Sequence, residues 1–184
     1  MLYVVRHGQT DWNNKKIIMG SRNIPLNKKG IEEAYTLKKI VSGIRYNLLL
    51  CSPLKRTIQT ANIINEDKGI NCIYDSRLME RCLGKLEGKP YVNYNDILWD
   101  ISINYSLENV ETMIEFRDRV YSFMSYIYNN YLNTNVLVVT HGGVSALIDS
   151  YVNDTLYDGP VSNKFLKNGE IASYDLNKEK ILKK

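Results

Sequence analysis

Three short apolar runs limit what this chain can fold into: Leu2-Tyr3-Val4-Val5, Leu48-Leu49-Leu50-Cys51 and Val136-Leu137-Val138-Val139. Each is too short for a helix, lacks polar alternation and ends at residues rich in chemistry. A strand with no polar face must be covered on both sides, the condition met in a parallel sheet between helices. The intervals between the runs show helical spacing. From Asn27 to Ile44, apolar residues fall at Ile31, Ala34, Leu37, Val41 and Ile44, with Lys28, Lys29, Glu32, Lys38 and Lys39 mainly on the other side. Ser52-Pro53 supplies a helix start, Ser as N-cap and Pro at the first helical position, with the helix running on through Ile58, Ala61 and Ile64. Val110, Met113, Ile114, Arg117, Val120, Met124, Ile127 and Tyr131 trace a long amphipathic helix, and another should span Val144 to Tyr151. Cys72-Ile73-Tyr74 is a third strand candidate in chain order, and the weak alternation from Glu170 to Leu176 suits an edge strand.

This alternation predicts an α/β fold of three layers, α/β/α, with a largely parallel central sheet and a small helical or loop cap over the active site. A length of 184 residues suits a single domain, 1–184, and the segment 84–109 is expected to form the cap and substrate wall. That segment holds Gly84, Gly88 and Pro90, then a polar-aromatic stretch with Tyr91, Tyr94, Trp99 and Tyr105. The aromatics suit either an apolar face for substrate or the packing of a short helix.

Composition excludes several classes. A charged fraction of 24% is ordinary for a folded chain. No run approaches the ~18 apolar residues of a membrane span. A net charge of +4 with scattered lysines gives no support to nucleic-acid binding. The lysines at 178, 180, 183 and 184 are expected to form a solvated tail. Three cysteines, Cys51, Cys72 and Cys82, form no Cys-x-x-Cys spacing, which argues against a disulfide framework or structural zinc. With no secretory signal at the N-terminus, a reduced cytoplasmic setting is the default. No motif specifies an oligomeric state.

The chain has only two histidines, and each follows an apolar strand and precedes a glycine: Arg6-His7-Gly8 and Thr140-His141-Gly142-Gly143. In a parallel sheet these strand ends and Ser52-Pro53, with Arg56 beyond it, converge at the carboxyl edge where ligands bind. Helix N-termini there offer free N–H groups, and two arginines add forked donors matched to phosphate oxygens. Zinc is the rival for a histidine pair, but neither histidine has ligand spacing and two arginines would repel a cation. Asp96 and Asp100, four apart, could share a helix face for a metal, although a solvated side is the simpler account. No metal and no cofactor are expected.

At these positions the chain resembles the histidine phosphatase superfamily, also called phosphoglycerate mutase-like. The likeness rests on Arg6-His7-Gly8-Gln9-Thr10-Asp11-Trp12-Asn13, Pro25-Leu26-Asn27 with Gly30, the stretch Ser52 to Ala61, Leu78-Met79-Glu80 with Gly84 and Glu87-Gly88, and Val138 to Gly143. It is ordered and spans residues 3 to about 145. Gln9 and Asn23 stand where the family often has Glu and Asp, and Cys82 and Leu83 depart from the mutase members.

The resemblance implies His7 as nucleophile, forming a phosphohistidine. Arg6, Asn13, Gly20, Arg56, His141 and Gly142 would hold the phosphoryl group, and Glu80 would act as acid and then base. An ion pair with Arg77 or Arg81 is the structural alternative for Glu80, and Glu87 is a rival acid better suited to a structural role. The partner implied is a small phosphate monoester. Mutase members carry a basic substrate lobe, whereas 84–109 offers only Lys85 and Lys89 against Glu87, Asp96, Asp100 and Glu108. A second acidic group on the substrate is therefore expected to be poorly received, and hydrolysis is favoured over mutase chemistry or a silent phosphate-binding role.

Overall fold

The computed structural model describes residues 1–91, 98–100, 109–155 and 159–176. Five strands, β1 (Leu2–Arg6), β2 (Leu48–Cys51), β3 (Cys72–Tyr74), β4 (Val136–Thr140) and β5 (Ile171–Tyr174), form one sheet in the order β3-β2-β4-β1-β5. The first four are parallel, and β5 runs antiparallel along the free side of β1. The register pairs Arg6 with Thr140 and Cys51 with Val139, so the residues following three strands emerge along one edge.

The apolar runs are explained by two-sided burial. Val136 and Val138 of β4 join one core, while Leu137 and Val139 join the other. Helices α2 (Lys28–Ser42) and α3 (Lys55–Asn65) cover the second core through Leu37, Val41, Ala61 and Ile64. The first is covered by α4 (Met113–Tyr131) and α5 (Gly142–Val152) through Phe116, Phe123, Val144 and Leu147. Removing each such side chain from water contributes roughly 1.5–3 kcal/mol. The three layers and the largely parallel sheet match the expectation. A short helix, α1 (Asp11–Asn14), follows β1 and is closed by a capping box between Thr10 and Asn13.

Three local expectations are corrected. Helix α3 begins at Lys55 behind Leu54, not at Ser52-Pro53, and its first free N–H, that of Lys55, donates to Asn23 Oδ1 at 2.6 Å. The buried stripe of α2 starts at Gly30, and Ile31 stands 39% exposed. A Cβ on Gly30 would lie 2.0 Å from the carbonyl oxygen of Gln9, so this turn is pressed backbone to backbone against the segment after β1. Helix α4 starts behind the capping residue Thr112, leaving Val110 outside it, and Ile114 is 40% exposed while Phe116 and Phe123 fill the core.

Of the expected cap, residues 84–91, 98–100 and 109 are described; Tyr94, Asp96 and Tyr105 lie outside the described residues, as does the lysine tail. The described part is tied to the body. Tyr91 N–H donates to the Lys16 carbonyl at 2.8 Å and Ile18 N–H to that of Lys89 at 2.9 Å. Val161 N–H donates to the Trp99 carbonyl at 2.9 Å.

Candidate active site

His7 leaves β1 with its ring buried, and Nδ1 lies 2.7 Å from the Gly8 carbonyl. A carbonyl only accepts, so the neutral ring carries its proton on Nδ1 and its lone pair on Nε2. Arg56, in the first turn of α3, points its Nε–H at that lone pair and at Nδ1 of His141, 3.2 Å from each. The two ring centroids are 5.1 Å apart. With Nδ1 accepting, His141 carries its proton on Nε2, which donates to Ser52 Oγ at 2.8 Å. Ser52 is thus a residue of the site rather than a helix cap, and sequence reading missed it because Ser-Pro is itself a helix-start signal.

The outer nitrogens of Arg56 are fixed by the loop after α1. Nη1 donates to the Arg22 carbonyl at 2.6 Å and Nη2 to that of Gly20 at 2.9 Å. Glu87 secures this loop, accepting from Ser21 N–H at 2.8 Å and pairing with Arg22 Nε at 3.1 Å. Gly20, with φ +49°, has no room for a Cβ, which would lie 2.2 Å from Glu87 Oε1.

Arg6 donates from Nη1 to the Leu166 carbonyl at 2.6 Å, but its buried Nε–H has no partner among the described residues. An unmatched buried donor costs about 1–3 kcal/mol, so this group calls for an acceptor such as an anion's oxygen. Asn13 Oδ1 accepts from Thr10 N–H at 3.0 Å and Thr10 Oγ1 at 2.9 Å, which turns the amide's donor end away from that turn.

Glu80 forms no ion pair with Arg77 or Arg81. Arg77 pairs with Asp75 at 2.6 Å, and the Arg81 guanidinium donates to the carbonyls of Glu111 and Leu98. Glu80 accepts instead from the N–H groups of Gly143 and Arg81, each at 3.1 Å. Burial raises its pKa against those bonds and the fields of Arg56 and Arg6. Burial, followed by the charges of Arg56 and Arg6, holds His7 well below the ordinary imidazole range. His141 is lowered by burial, then Arg56 and His7, while burial brings Arg56 itself down to about 10. A buried neutral imidazole keeps its lone pair, and the fixed cations beside it favour a ligand that brings negative charge.

A cavity of about 630 Å³ opens onto these groups. Arg6, His7, Asn13, Gly20, Arg56 and Glu80 line it. His141 and Gly142 do not: His141 is fully buried against Arg56 and His7, and Gly142 lies so close to Arg6 that a Cβ would sit 3.0 Å from its Nη1. Tyr91 and Trp99 of the cap also line it, joined by a bond from Trp99 Nε1–H to Tyr91 Oη at 2.9 Å, and Trp99 packs on Phe165 as well. The segment from Ser162 to Asn168 supplies a wall that no sequence motif announced. Among the described residues no group of three or more His, Cys, Asp or Glu side chains is gathered as metal ligands.

Two imidazoles sharing a guanidinium, at the carboxyl edge of a parallel sheet and facing a buried carboxyl group, define a phosphoryl-transfer class of site on an α/β scaffold. The model of the histidine phosphatase superfamily (branch 1) matches residues 2–181, and the chain belongs to that family. It is a hydrolase of the phosphatase class, like the relatives named phosphatases, while other relatives are named probable phosphoglycerate mutases. It is 34% identical to the uncharacterized phosphatase PhoE of Bacillus subtilis (strain 168) over 143 residues, 76% of this chain and 70% of that one. It is 29% identical to the adenosylcobalamin/alpha-ribazole phosphatase of Escherichia coli (strain K12) over 157 residues, 80% and 76% of the two chains. Among solved structures, Bacillus stearothermophilus YhfR superposes with a TM-score of 0.77 at 27% identity, covering 85% of this chain and 81% of that one.

Proposed function

We propose that the protein hydrolyses a small phosphate monoester, without a metal, through a phosphohistidine on His7. The observation that carries this reading is the position of Arg56 Nε, 3.2 Å from both His7 Nε2 and His141 Nδ1, in a cavity where Arg6 Nε is buried without an acceptor among the described residues. A phosphate dianion placed there gives Arg6 Nε an acceptor and both guanidinium groups a charge to balance.

In the first step the His7 Nε2 lone pair attacks phosphorus and the bond to the alcohol oxygen breaks. The electron pair departs with that oxygen, which takes the proton of the Glu80 carboxyl group. The Gly8 carbonyl, held by Nδ1–H, supports the positive ring that forms. Arg6, Arg56 and the Asn13 amide hold the equatorial oxygens as charge moves, and His141 joins them once the dianion draws a solvent proton onto its Nδ1. In the second step Glu80, now a carboxylate, takes a proton from water as the water oxygen attacks phosphorus. The P–N bond breaks, and inorganic phosphate leaves. The two arginines supply the charge stabilisation that a metal ion gives in other phosphatases.

The same reading treats 1–184 as one cytoplasmic domain whose 84–109 segment roofs the site. Tyr91 and Trp99 in the cavity wall support that assignment. Among the described residues no helix is long and apolar enough to cross a membrane. The test is a rapid quench with a ³²P-labelled aryl phosphate. Wild type should hold label that is stable to base and released by acid, and His7→Ala should hold none and lose at least about 10³-fold in turnover. Turnover preserved in His7→Ala, or lost on adding EDTA, would overturn the proposal.

A further inference from the structure

Resting on that phosphomonoesterase reading, we infer that Arg119 and Glu111 are positioning residues, an ion pair that holds the Glu80 carboxyl group in its place at the site. Glu80 is carried by residues 79–83, which belong to no helix or strand. The backbone of such a segment must find its hydrogen-bond partners elsewhere. Arg119 Nη1 donates to the carbonyls of Arg77 at 2.6 Å and Met79 at 2.9 Å. Its other two nitrogens fork the Glu111 carboxylate, Nε at 2.8 Å and Nη2 at 2.9 Å. Glu111 Oε2 also accepts from the Cys82 N–H at 3.1 Å, and the Glu111 N–H donates to the Cys82 carbonyl at 2.9 Å. The Glu111 carbonyl accepts from Arg81 Nε at 2.7 Å. The pair thus grips the chain at Met79, one residue before the acid, and at Arg81 and Cys82, the two after it.

Rigid neighbours hold the pair itself. Arg119 lies in the second turn of α4 with its guanidinium 5.0 Å from the ring of Phe116, which is fully buried. Glu111 stands just before Thr112, which closes the start of α4 through a capping box with Glu115. The side chains of Arg119 and Glu111 are 22% and 17% exposed, so this forked pair is shielded as an open surface pair is not. The Gly143 and Arg81 N–H groups can reach the Glu80 carboxylate at 3.1 Å only while the backbone of Glu80 stays where the pair sets it. The pair carries no net charge, and the fields that act on Glu80 come from Arg56 and Arg6. Its contribution is therefore placement. A reacting group displaced by about 1 Å can lose on the order of 10²-fold in rate.

The experiment measures kcat/KM for 2-phenylethyl phosphate, an alkyl ester, and 4-nitrophenyl phosphate, an activated aryl ester. The proteins are wild type, Arg119→Ala, Glu80→Gln and the double variant. Arg119→Ala should lose roughly tenfold more on the alkyl ester than on the aryl ester, because only the alkyl leaving group needs a well-placed proton. In the Glu80→Gln background the same substitution should cost both esters equally, since no acid is left to place. If Arg119→Ala does not fold, Arg119→Lys, which keeps a charge but not the fork, carries the same test. Amide hydrogen exchange gives a readout independent of turnover. Gly143, in the first turn of α5, has no carbonyl partner within its helix, so its protection reports the bond to Glu80. The Ser145 N–H, bonded to the His141 carbonyl at 2.9 Å, is the internal reference. Exchange at Gly143 should quicken roughly tenfold in Arg119→Ala while Ser145 stays unchanged. Where Glu80→Gln distinguishes the two esters, equal losses in Arg119→Ala or unchanged exchange at Gly143 would overturn the inference and leave the phosphatase reading intact. If Glu80→Gln slows both esters equally, the acid in that reading is lost, and exchange at Gly143 alone decides whether the pair places this carboxyl group.

Discussion

Ser52 Oγ lies 2.8 Å from His141 Nε2, and this contact sets which face of the second imidazole looks toward the nucleophile. It holds the ring proton on Nε2 and leaves the Nδ1 lone pair to Arg56. Ser52→Ala should leave a buried N–H unmatched and lower stability by roughly 1–3 kcal/mol. It should also reduce kcat by roughly tenfold, because an orientation worth about 1.4 kcal/mol is lost. Nitrogen chemical shifts of His141 would report the change directly: a mixture of tautomers is expected in place of one. Unchanged shifts together with unchanged kcat would remove Ser52 from the site.

Glu80 is buried and its pKa is raised, so it retains a proton above the ordinary carboxyl value of 4.5. Glu80→Gln should slow alkyl phosphates far more than an activated aryl phosphate, whose leaving group needs no proton. In wild type the alkyl esters should show an alkaline fall in kcat/KM that the aryl ester shows more weakly. Equal losses on both substrates would assign the acid elsewhere.

His7 and His141 both have folded-state values lowered by burial and by Arg56. The unfolded chain therefore binds protons first as the solution is acidified. The stability linked to these rings is complete above about pH 6.5 and is lost as pH falls below that value. The urea midpoint should decline from pH 7 to pH 5, and His7→Asn should decline less steeply. Parallel curves would mean that the fold does not hold the His7 ring neutral.

Gly30→Ala tests the contact between α2 and the turn after His7. Alanine is the better helix former by about 1 kcal/mol, yet its Cβ would meet the Gln9 carbonyl oxygen at 2.0 Å. Rigid backbone stands on both sides, so overpacking wins: a net loss of roughly 1–2 kcal/mol is expected, with reduced kcat as Gly8 and Gln9 shift. Thermal melts and initial rates on the same preparation would measure both. A variant more stable than its parent would show that the two segments part easily.

The sheet was legible because burial on both faces writes itself into a strand as an unbroken apolar run, as in Val136–Val139. Arg6, His7, Arg56, Glu80 and His141 were legible because reactive types stood where such runs end or in ordered motifs beyond them. What escaped was decided by contacts between distant parts of the chain. Ser52 has the local character of a cap, and only the arrival of His141 gives its hydroxyl another partner. Gly30 takes the buried position beside Ile31 because Gln9 is pressed against it. The wall from Ser162 to Asn168 has no periodicity of its own, since pairing of β5 with β1 places it.

That pairing also bears on when the protein becomes active. The strand bearing Arg6 is made first, yet both of its neighbours in the sheet, β4 and β5, and the Leu166 carbonyl that anchors its guanidinium come from the last third of the chain. On the ribosome Arg6 and His7 wait, without these neighbours, for nearly the whole polypeptide. On the proposed mechanism an unfinished copy is therefore expected to be inert.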